Sequence, residues 1–184
     1  MRVFLSFVLL ISYAAAQSIP RNRLTFSGGW SEDIGGLSEH PSATSLGLSY
    51  GYRFHRYIEA EVGLSTALDP TGDVCSHNGC VDIGDHFFWV PFGVRFVTTS
   101  ANRVEFSGGG GGLYEKYTAA NEAPGSGPLG RTAWGGYLAG SVSVAIDHSR
   151  HFWLGASPRV YLANGTYARD RWFQIAGEFS FRFR

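Results

Sequence analysis

The side chains best suited to chemistry are concentrated in one short segment near the middle of the chain. Cys75, His77 and Cys80 lie within six residues of one another, with Asp73 and Asp82 on either side. Thiolate, imidazole and carboxylate groups bind zinc, so this segment is a candidate metal site, although its spacing fits no standard zinc module. The alternative is a disulfide between Cys75 and Cys80 that closes a small loop.

The N-terminus favours the disulfide. Residues 1–16 have the pattern of a secretory signal peptide: Arg2 is followed by an apolar run from Val3 to Ile11 and by three alanines at 14–16. The run is shorter than the roughly 20 apolar residues that a membrane-spanning helix needs. Secretion would place the thiols in an oxidising compartment. We therefore predict a signal peptide over 1–16, one domain over 17–184 and a Cys75–Cys80 disulfide.

The rest of the chain alternates apolar and polar residues with a period of two. Leu46, Leu48 and Tyr50 share one face of an extended segment, whereas Ser45 and Ser49 share the other. Eight such segments of about 9–13 residues follow one another. Short connections near 55–56, 98–102 and 147–150 alternate with longer ones near 31–42, 68–86, 115–131 and 163–170. This order predicts an all-β fold, an eight-stranded antiparallel up-and-down barrel.

The size of the apolar side chains indicates which face points outward. The interior of an eight-stranded barrel is only just wide enough to be filled by side chains. It cannot hold all the bulky residues of the apolar faces, whereas the opposite faces are mainly Ser, Gly and Ala. We therefore expect the apolar face to meet lipid, with a soluble lipocalin-like or avidin-like barrel as the alternative.

Aromatic residues cluster near both ends of the predicted strands, as in membrane barrels. The long-loop group is Trp30, Phe88, Tyr114, Trp134 and Trp172. The short-turn group is Tyr52, Phe54, Phe96, Phe152, Phe181 and Phe183. The two groups predict one aromatic girdle at each lipid–water interface.

On these residues the chain resembles the eight-stranded outer-membrane β-barrels of bacteria, which include the outer membrane protein A membrane domain, X-type barrels and opacity-type adhesins. Phe179, Phe181 and Phe183 look like the C-terminal signal that the barrel-assembly machinery reads. The resemblance implies a monomer in the bacterial outer membrane that contacts lipid and lipopolysaccharide. It also implies a structural or adhesion-type role, in which the long loops are available to an extracellular ligand, with no cofactor and no catalytic site.

Charged residues on the predicted inner face should be paired, because isolated buried charge is very unfavourable. They are four arginines and four glutamates: Arg53, Glu59, Glu61, Arg95, Glu105, Arg159, Glu178 and Arg182. We predict an ion-pair network that plugs the lumen. The alternative is a narrow channel or a solute-binding barrel.

Other charges are assigned to the two rims. The short-turn rim is predicted to carry Arg21, Arg23, Arg56, Arg103 and Arg150. The long loops are predicted to carry Glu32, Asp33, Glu39, Asp69, Asp73, Asp82, Asp85, Glu115, Glu122 and Asp170. With 15 basic and 15 acidic residues, the chain lacks the excess of basic residues typical of nucleic-acid binders.

Two further motifs invite a chemical interpretation. The glycines at 108–112 lack the Lys-Ser/Thr of a phosphate-binding loop, so we assign them a steric role: space for Tyr137 inside and for neighbouring aromatic rings outside. Because some barrels of the resembled class modify lipid A with a Ser/His/acid set, a lipid A-modifying enzyme is the third alternative. His148 and Ser149 fall at the wrong rim for that reaction, and a set from Ser76, His77, Asp82, Asp85 and His86 matches no motif.

Overall fold

The structure is a computed structural model that describes residues 20–34, 42–71, 73–76, 79–82, 85–98, 103–119, 130–164 and 169–184. The predicted signal peptide lies outside these residues. Within the described part of the chain, no helix is both long and apolar enough to cross a membrane.

Ten β-strands make up the described structure. They are β1 (Asn22–Asp33), β2 (Ser42–His55), β3 (Ile58–Thr71), β4 (Asp73–Ser76), β5 (Gly79–Asp82), β6 (Asp85–Val97), β7 (Val104–Ala119), β8 (Gly130–Ala145), β9 (Phe152–Asn164) and β10 (Arg169–Phe183). All the long strands lie where period-two alternation predicts them.

Eight of these strands close into a barrel in the order β1-β10-β9-β8-β7-β6-β3-β2. Every neighbouring pair is antiparallel, and β1 pairs with both β2 and β10. Closure leaves no edge strand with unpaired backbone groups, which is the condition for a sheet to sit in lipid. The structure confirms the predicted fold class, an eight-stranded antiparallel up-and-down barrel.

Five of the eight barrel strands are longer than the predicted 9–13 residues, because the hydrogen-bonded ladder continues past the apolar band. β7 reaches Ala119, whereas the sequence predicts a loop from residue 115. Lys116 is exposed on the outer face of this extension. A polar outer residue removes the apolar–polar alternation without disturbing backbone pairing, so the prediction ends these strands too early.

The second long connection contains its own two-stranded sheet, β4 paired with β5. The sequence predicts a loop here, because four-residue strands are too short to show periodicity. The backbone register places Cys75 directly opposite Cys80. The side chains of this hairpin lie outside the described part of the structure, so the disulfide and the alternative metal site with His77 both stay predictions.

The two faces of the barrel wall have the predicted orientation. On β2, Leu46 is 50% exposed, whereas its neighbour Ser45 is completely buried. The same alternation of exposed and buried residues holds on the other strands, and the buried inner face carries polar and small residues together with several large rings. Most bulky apolar side chains therefore cover the outer wall, and the buried layer of the described barrel is its inner face.

Candidate functional site: the lumen

Two stacked groups of side chains lie in the lumen. Nearer the short turns lies the charged layer: Arg23, Arg53, Glu59, Glu61, Arg95, Glu105, Arg159, Glu178 and Arg182, all of them buried. Nearer the long loops lies the aromatic layer: Phe87, Trp89, Tyr117, Tyr161 and Trp172. The structure thus places all eight predicted network residues in one layer and adds Arg23.

Seven residues of the charged layer form one continuous chain of alternating charge. It runs through Arg182, Glu105, Arg53, Glu59, Arg23, Glu61 and Arg95, with successive N···O distances of 2.5, 3.2, 3.6, 2.5, 3.0 and 3.1 Å. Each glutamate in this chain therefore contacts two arginines. Such sharing offsets the large desolvation penalty of burying ions, which a single contact rarely does.

Strand register explains why these side chains meet. Arg53 on β2 is the register partner of Glu59 on β3, and Glu59 is the partner of Arg95 on β6. Space for the carboxylate comes from β2 as well, because a Cβ at Gly51 would collide with the Glu59 side chain. Glycine at that position thus permits the ion pairs of Glu59.

Arg182 is held on two sides. Its two terminal nitrogens contact the two carboxylate oxygens of Glu105 at 2.9 and 2.5 Å, which is the bidentate geometry that guanidinium favours. On the other side, the guanidinium carbon lies 3.9 Å from the ring centroid of Trp153. A cation–π contact of this kind adds electrostatic attraction in a desolvated site.

Arg159 and Glu178 form a separate pair on neighbouring strands. Arg159 Nη2 donates to Glu178 Oε1 at 2.7 Å, and Arg159 Nε donates to Ser157 Oγ at 3.2 Å. Both charged side chains are almost fully buried. Among the described residues, no salt bridge joins this pair to the seven-residue chain, so it offers a simpler test of what one buried pair contributes.

The position of Arg23 corrects the rim assignment. The sequence-based prediction places Arg23 in solvent at the short-turn rim, but the side chain is buried and contacts both Glu59 and Glu61. Leu24 and Phe26 belong to the outward phase of β1, so alternation places Arg23 and Thr25 inside. The signal is thus present in the sequence. The other rim arginines are exposed as predicted: Arg21, Arg56, Arg103 and Arg150.

The aromatic layer is built around Trp89. Its ring stacks on Tyr161 with centroids 4.9 Å apart and an interplanar angle of 12°. Phe87 and Trp172 pack beside it, with centroid separations of 5.7 Å from Phe87 to Trp89, 4.7 Å from Phe87 to Trp172 and 5.6 Å from Trp89 to Trp172. The ring of Tyr117 contacts Phe87 with centroids 5.0 Å apart. Trp89 and Trp172 have almost no exposed surface, so the rings pack closely at this end of the lumen.

A buried carboxylate anchors the central ring. Trp89 Nε1 donates to Glu115 Oε2 at 2.8 Å, and the two residues are register partners on β6 and β7. The other oxygen, Oε1, lies 3.9 Å from Arg131 Nη2. Glu115 therefore holds an indole N–H inside the barrel, which is a positional role.

These contacts correct three expectations. The sequence assigns Trp172 to the outer aromatic girdle, but it lies inside, because Phe173 takes the outward phase. The sequence also assigns Glu115 to a solvated loop, but it is buried in β7. The inner face is expected to be small and polar, yet near the long loops it carries large rings.

Hydrogen bonds also cross the lumen next to the aromatic layer. The Tyr161 hydroxyl donates to Gln174 Oε1 at 3.1 Å, and Gln174 Nε2 donates to Ser65 Oγ at 3.4 Å. Ser65 lies on β3 and Gln174 on β10, which are not neighbouring strands. Side chains from separate walls therefore meet between the charged and the aromatic layer.

The glycines at 108–112 have steric roles on both faces of the wall. On the outside, the ring of Phe92 occupies the space where a Gly112 Cβ would lie. The Leu138 side chain covers Gly110 in the same way, because its Cδ2 lies 2.9 Å from the position that a Gly110 Cβ would take. On the inside, Gly111 is the register partner of the buried Tyr137. The run thus gives space to an aromatic ring and an aliphatic side chain outside. Inside, a Cβ at Gly111 would collide with the backbone of Phe92 and Gly93, so space for Tyr137 stays a prediction.

The residues of the predicted assembly signal lie on the outer wall beside the short turns. Phe152 stacks on Phe179 at 6.0 Å, and Phe181 stacks on Phe183 at 5.6 Å. Phe152 also contacts Phe181, with ring centroids 5.1 Å apart. The three signal residues thus form one patch with Phe152, while their role in assembly stays a prediction.

The turn between β8 and β9 holds the adjacent His148 and Ser149. The Ser149 hydroxyl donates to Asp147 Oδ2, and the amides of His151 and Phe152 donate to the same carboxylate at 3.0 and 2.9 Å. Desolvation acts to raise the pKa of Asp147, but these hydrogen bonds together prevail and lower it to about 2. Ser149 therefore stabilises a turn. The side chains of Ser76, His77, Asp82 and Asp85 lie outside the described part of the structure.

The closed eight-stranded wall, the outward apolar side chains and the buried inner layers define the fold of the small outer-membrane β-barrels. Neisserial surface protein A has this fold, with a TM-score of 0.70 and 13% identity over 88% of this chain and 97% of its own. For OprG from Pseudomonas aeruginosa the TM-score is 0.61 and the sequence identity 12%, over 88% of this chain and 97% of OprG. For Ail, the attachment invasion locus protein of Yersinia pestis, the TM-score is 0.55 and the sequence identity 11%, over 89% of this chain and 100% of Ail. No protein-family model and no curated protein sequence matches the chain.

Proposed function

We propose that the protein is a monomeric integral barrel of the bacterial outer membrane, with a closed lumen and a structural or surface-display role. The observation that carries this proposal is the presence of two buried layers of side chains in the lumen. A barrel that neither conducts nor catalyses acts through its wall and its loops. Its wall contacts lipid and lipopolysaccharide, and its long loops face the outside of the cell.

The outward apolar side chains support the membrane location. Phe96 and Leu138 are 63% and 61% exposed, which would be unfavourable in water over a whole barrel surface. The test is gel mobility of the outer-membrane fraction, boiled and unboiled. We expect a heat-dependent shift in that fraction, whereas a soluble periplasmic protein without a shift would overturn the proposal.

Lumen plugging is tested separately, by conductance in planar bilayers. We expect no steady open pore from the wild-type protein, because ion pairs and hydrogen bonds join side chains across the lumen. A steady conductance from folded, heat-shiftable protein would overturn the plugged lumen and favour the narrow-channel alternative.

The display role is tested by shortening the long connections. Cells that produce the wild-type protein should bind an extracellular surface that cells with shortened loops do not bind, with equal heat shifts in the two strains. Equal binding by both strains would contradict the display role. Ail is described as an attachment invasion locus protein, and this likeness of fold is consistent with surface interaction.

The proposal also excludes lipid A modification and includes the assembly machinery as a partner. Lipid A from cells with and without the protein should have the same mass spectrum, and a changed acyl chain would make the enzyme alternative correct.

Phe183→Ala should slow the appearance of the heat-shiftable form, since the C-terminal aromatic residues are proposed to be read during assembly. Unchanged kinetics would contradict that role.

A further inference from the structure

A groove on the outer wall lies apart from the lumen. It has a volume of about 600 Å³ and lies at the short-turn end between β6 and β7. Its apolar walls are Tyr57, Phe96 and Phe106, and Gly108 forms part of its floor. The volume lies within the roughly 300–1,000 Å³ typical of small-molecule sites.

The groove lies where an outward glycine is uncovered and is flanked by two aromatic rings. Phe92 covers Gly112 and Leu138 covers Gly110, but a Cβ at Gly108 would meet nothing nearer than Ala139 O at 3.9 Å. The register partner of Gly108 on β8 is Gly140, so two adjacent strands lack a side chain at this level. The two flanking rings, Phe96 and Phe106, are 63% and 57% exposed.

Positive charge borders the groove at the membrane surface. The guanidinium carbon of Arg56 lies 4.5 Å from the ring centroid of Tyr57, which is a wall of the groove. Arg103 is exposed on the turn that joins β6 to β7. Arginine near a membrane surface attracts anionic headgroups. An apolar slot with a cationic rim matches a molecule that has an apolar chain and an anionic head.

We propose that this groove binds one anionic phospholipid of the periplasmic leaflet, with an acyl chain over Gly108 and the phosphate at Arg56 and Arg103. This inference rests on the proposed membrane location. The rings of Phe96 and Phe106 contact the chain from two sides, and Arg56 reaches the headgroup while its guanidinium remains stacked on Tyr57.

The test is native mass spectrometry of the protein purified from the outer membrane, delipidated and titrated with dioleoyl phosphatidylglycerol. We expect one retained lipid, which Gly108→Leu abolishes by filling the groove. Gly177→Leu is the matched control, because it also faces outward into open space, with Gly28 O at 3.8 Å as its nearest contact. Arg56→Gln should weaken phosphatidylglycerol binding about fivefold and should leave the weaker binding of phosphatidylcholine unchanged.

Equal retention by wild type, Gly108→Leu and Gly177→Leu would overturn the lipid site. A dimer that Gly108→Leu disrupts, with lipid binding unaffected, would also overturn it and assign the groove to a second copy of the chain. The heat shift of each variant is measured in parallel. If the wild-type protein shows a normal heat shift but retains no lipid, only the lipid site is wrong. If the wild-type protein shows no heat shift, the proposed membrane location itself is wrong.

Discussion

The two layers of the lumen occupy the same barrel but are held by different physical means. In the charged layer, Glu61 and Glu105 each contact two arginines, and distance and direction matter for every contact. In the aromatic layer, Trp89 and Trp172 are held mainly by ring packing, together with the hydrogen bond from Trp89 to Glu115. The first layer should therefore respond most to a lost charge, and the second to a lost ring or donor.

The largest expected effect is the removal of a shared carboxylate. Glu61→Ala leaves Arg23 and Arg95 without the contacts at 3.0 and 3.1 Å. Breaking a buried ion pair by removing one partner costs about 3–5 kcal/mol. Urea unfolding in detergent should show a loss of that size. A loss below about 1 kcal/mol would mean that water or the remaining glutamates compensate the arginines.

A smaller effect is expected in the aromatic layer from Trp89→Phe. This change keeps an aromatic ring against Tyr161 but removes the donor to Glu115. A buried acceptor without its donor costs about 1–3 kcal/mol, and Glu115 keeps Arg131 Nη2 at 3.9 Å from its other oxygen. The double variant Trp89→Phe/Glu115→Gln is the control, and it should recover part of the loss in the same unfolding measurement.

Removal of a charge outside both layers should change the stability of the barrel even less. Asp147 has its pKa lowered to about 2, so it stabilises the folded state above its unfolded pKa, and that contribution is lost as the pH falls through about 2. Asp147→Asn should slightly lower stability at pH 7 and make the stability at acidic pH less pH-dependent than in the wild type. Identical pH profiles would show that the turn contributes nothing.

The smallest effect is expected when a whole pair is replaced. Arg159→Met/Glu178→Leu removes both members of the separate buried pair. Exchange of a buried pair for apolar residues is often neutral or stabilising, whereas removal of one partner is not. The double variant should therefore unfold close to wild type, while Glu178→Leu alone unfolds earlier. Equal losses in both variants would mean that the pair itself stabilises the barrel.

Alternation alone predicts the barrel and the inward phase of Arg53, Glu59 and Glu61, because a period of two fixes which side of the wall each residue occupies. The sequence-based prediction places Arg23 and Trp172 wrongly because it relies on their residue type, whereas their position in the alternation assigns both to the inner face. Aromatic residues near strand ends suit both the interface and the lumen, so their type does not decide between the two. The β4–β5 hairpin escapes prediction because its strands are too short for a periodic signal.

The pairing of Arg182 with Glu105 can form only at the stage of folding at which β10 joins the sheet. The two residues are 77 positions apart, and Arg182 belongs to the strand that closes the barrel against β1. Until β10 arrives, Glu105 lacks its bidentate partner and Glu178 is not yet beside Arg159. Without β10, Glu105 keeps only its contact with Arg53, whereas Arg159 has no acidic partner. In the proposed lipid environment an unpaired arginine of this kind is unfavourable. Pairing of β10 with β1 therefore closes the barrel and completes the last two ion contacts of the lumen with the same strand.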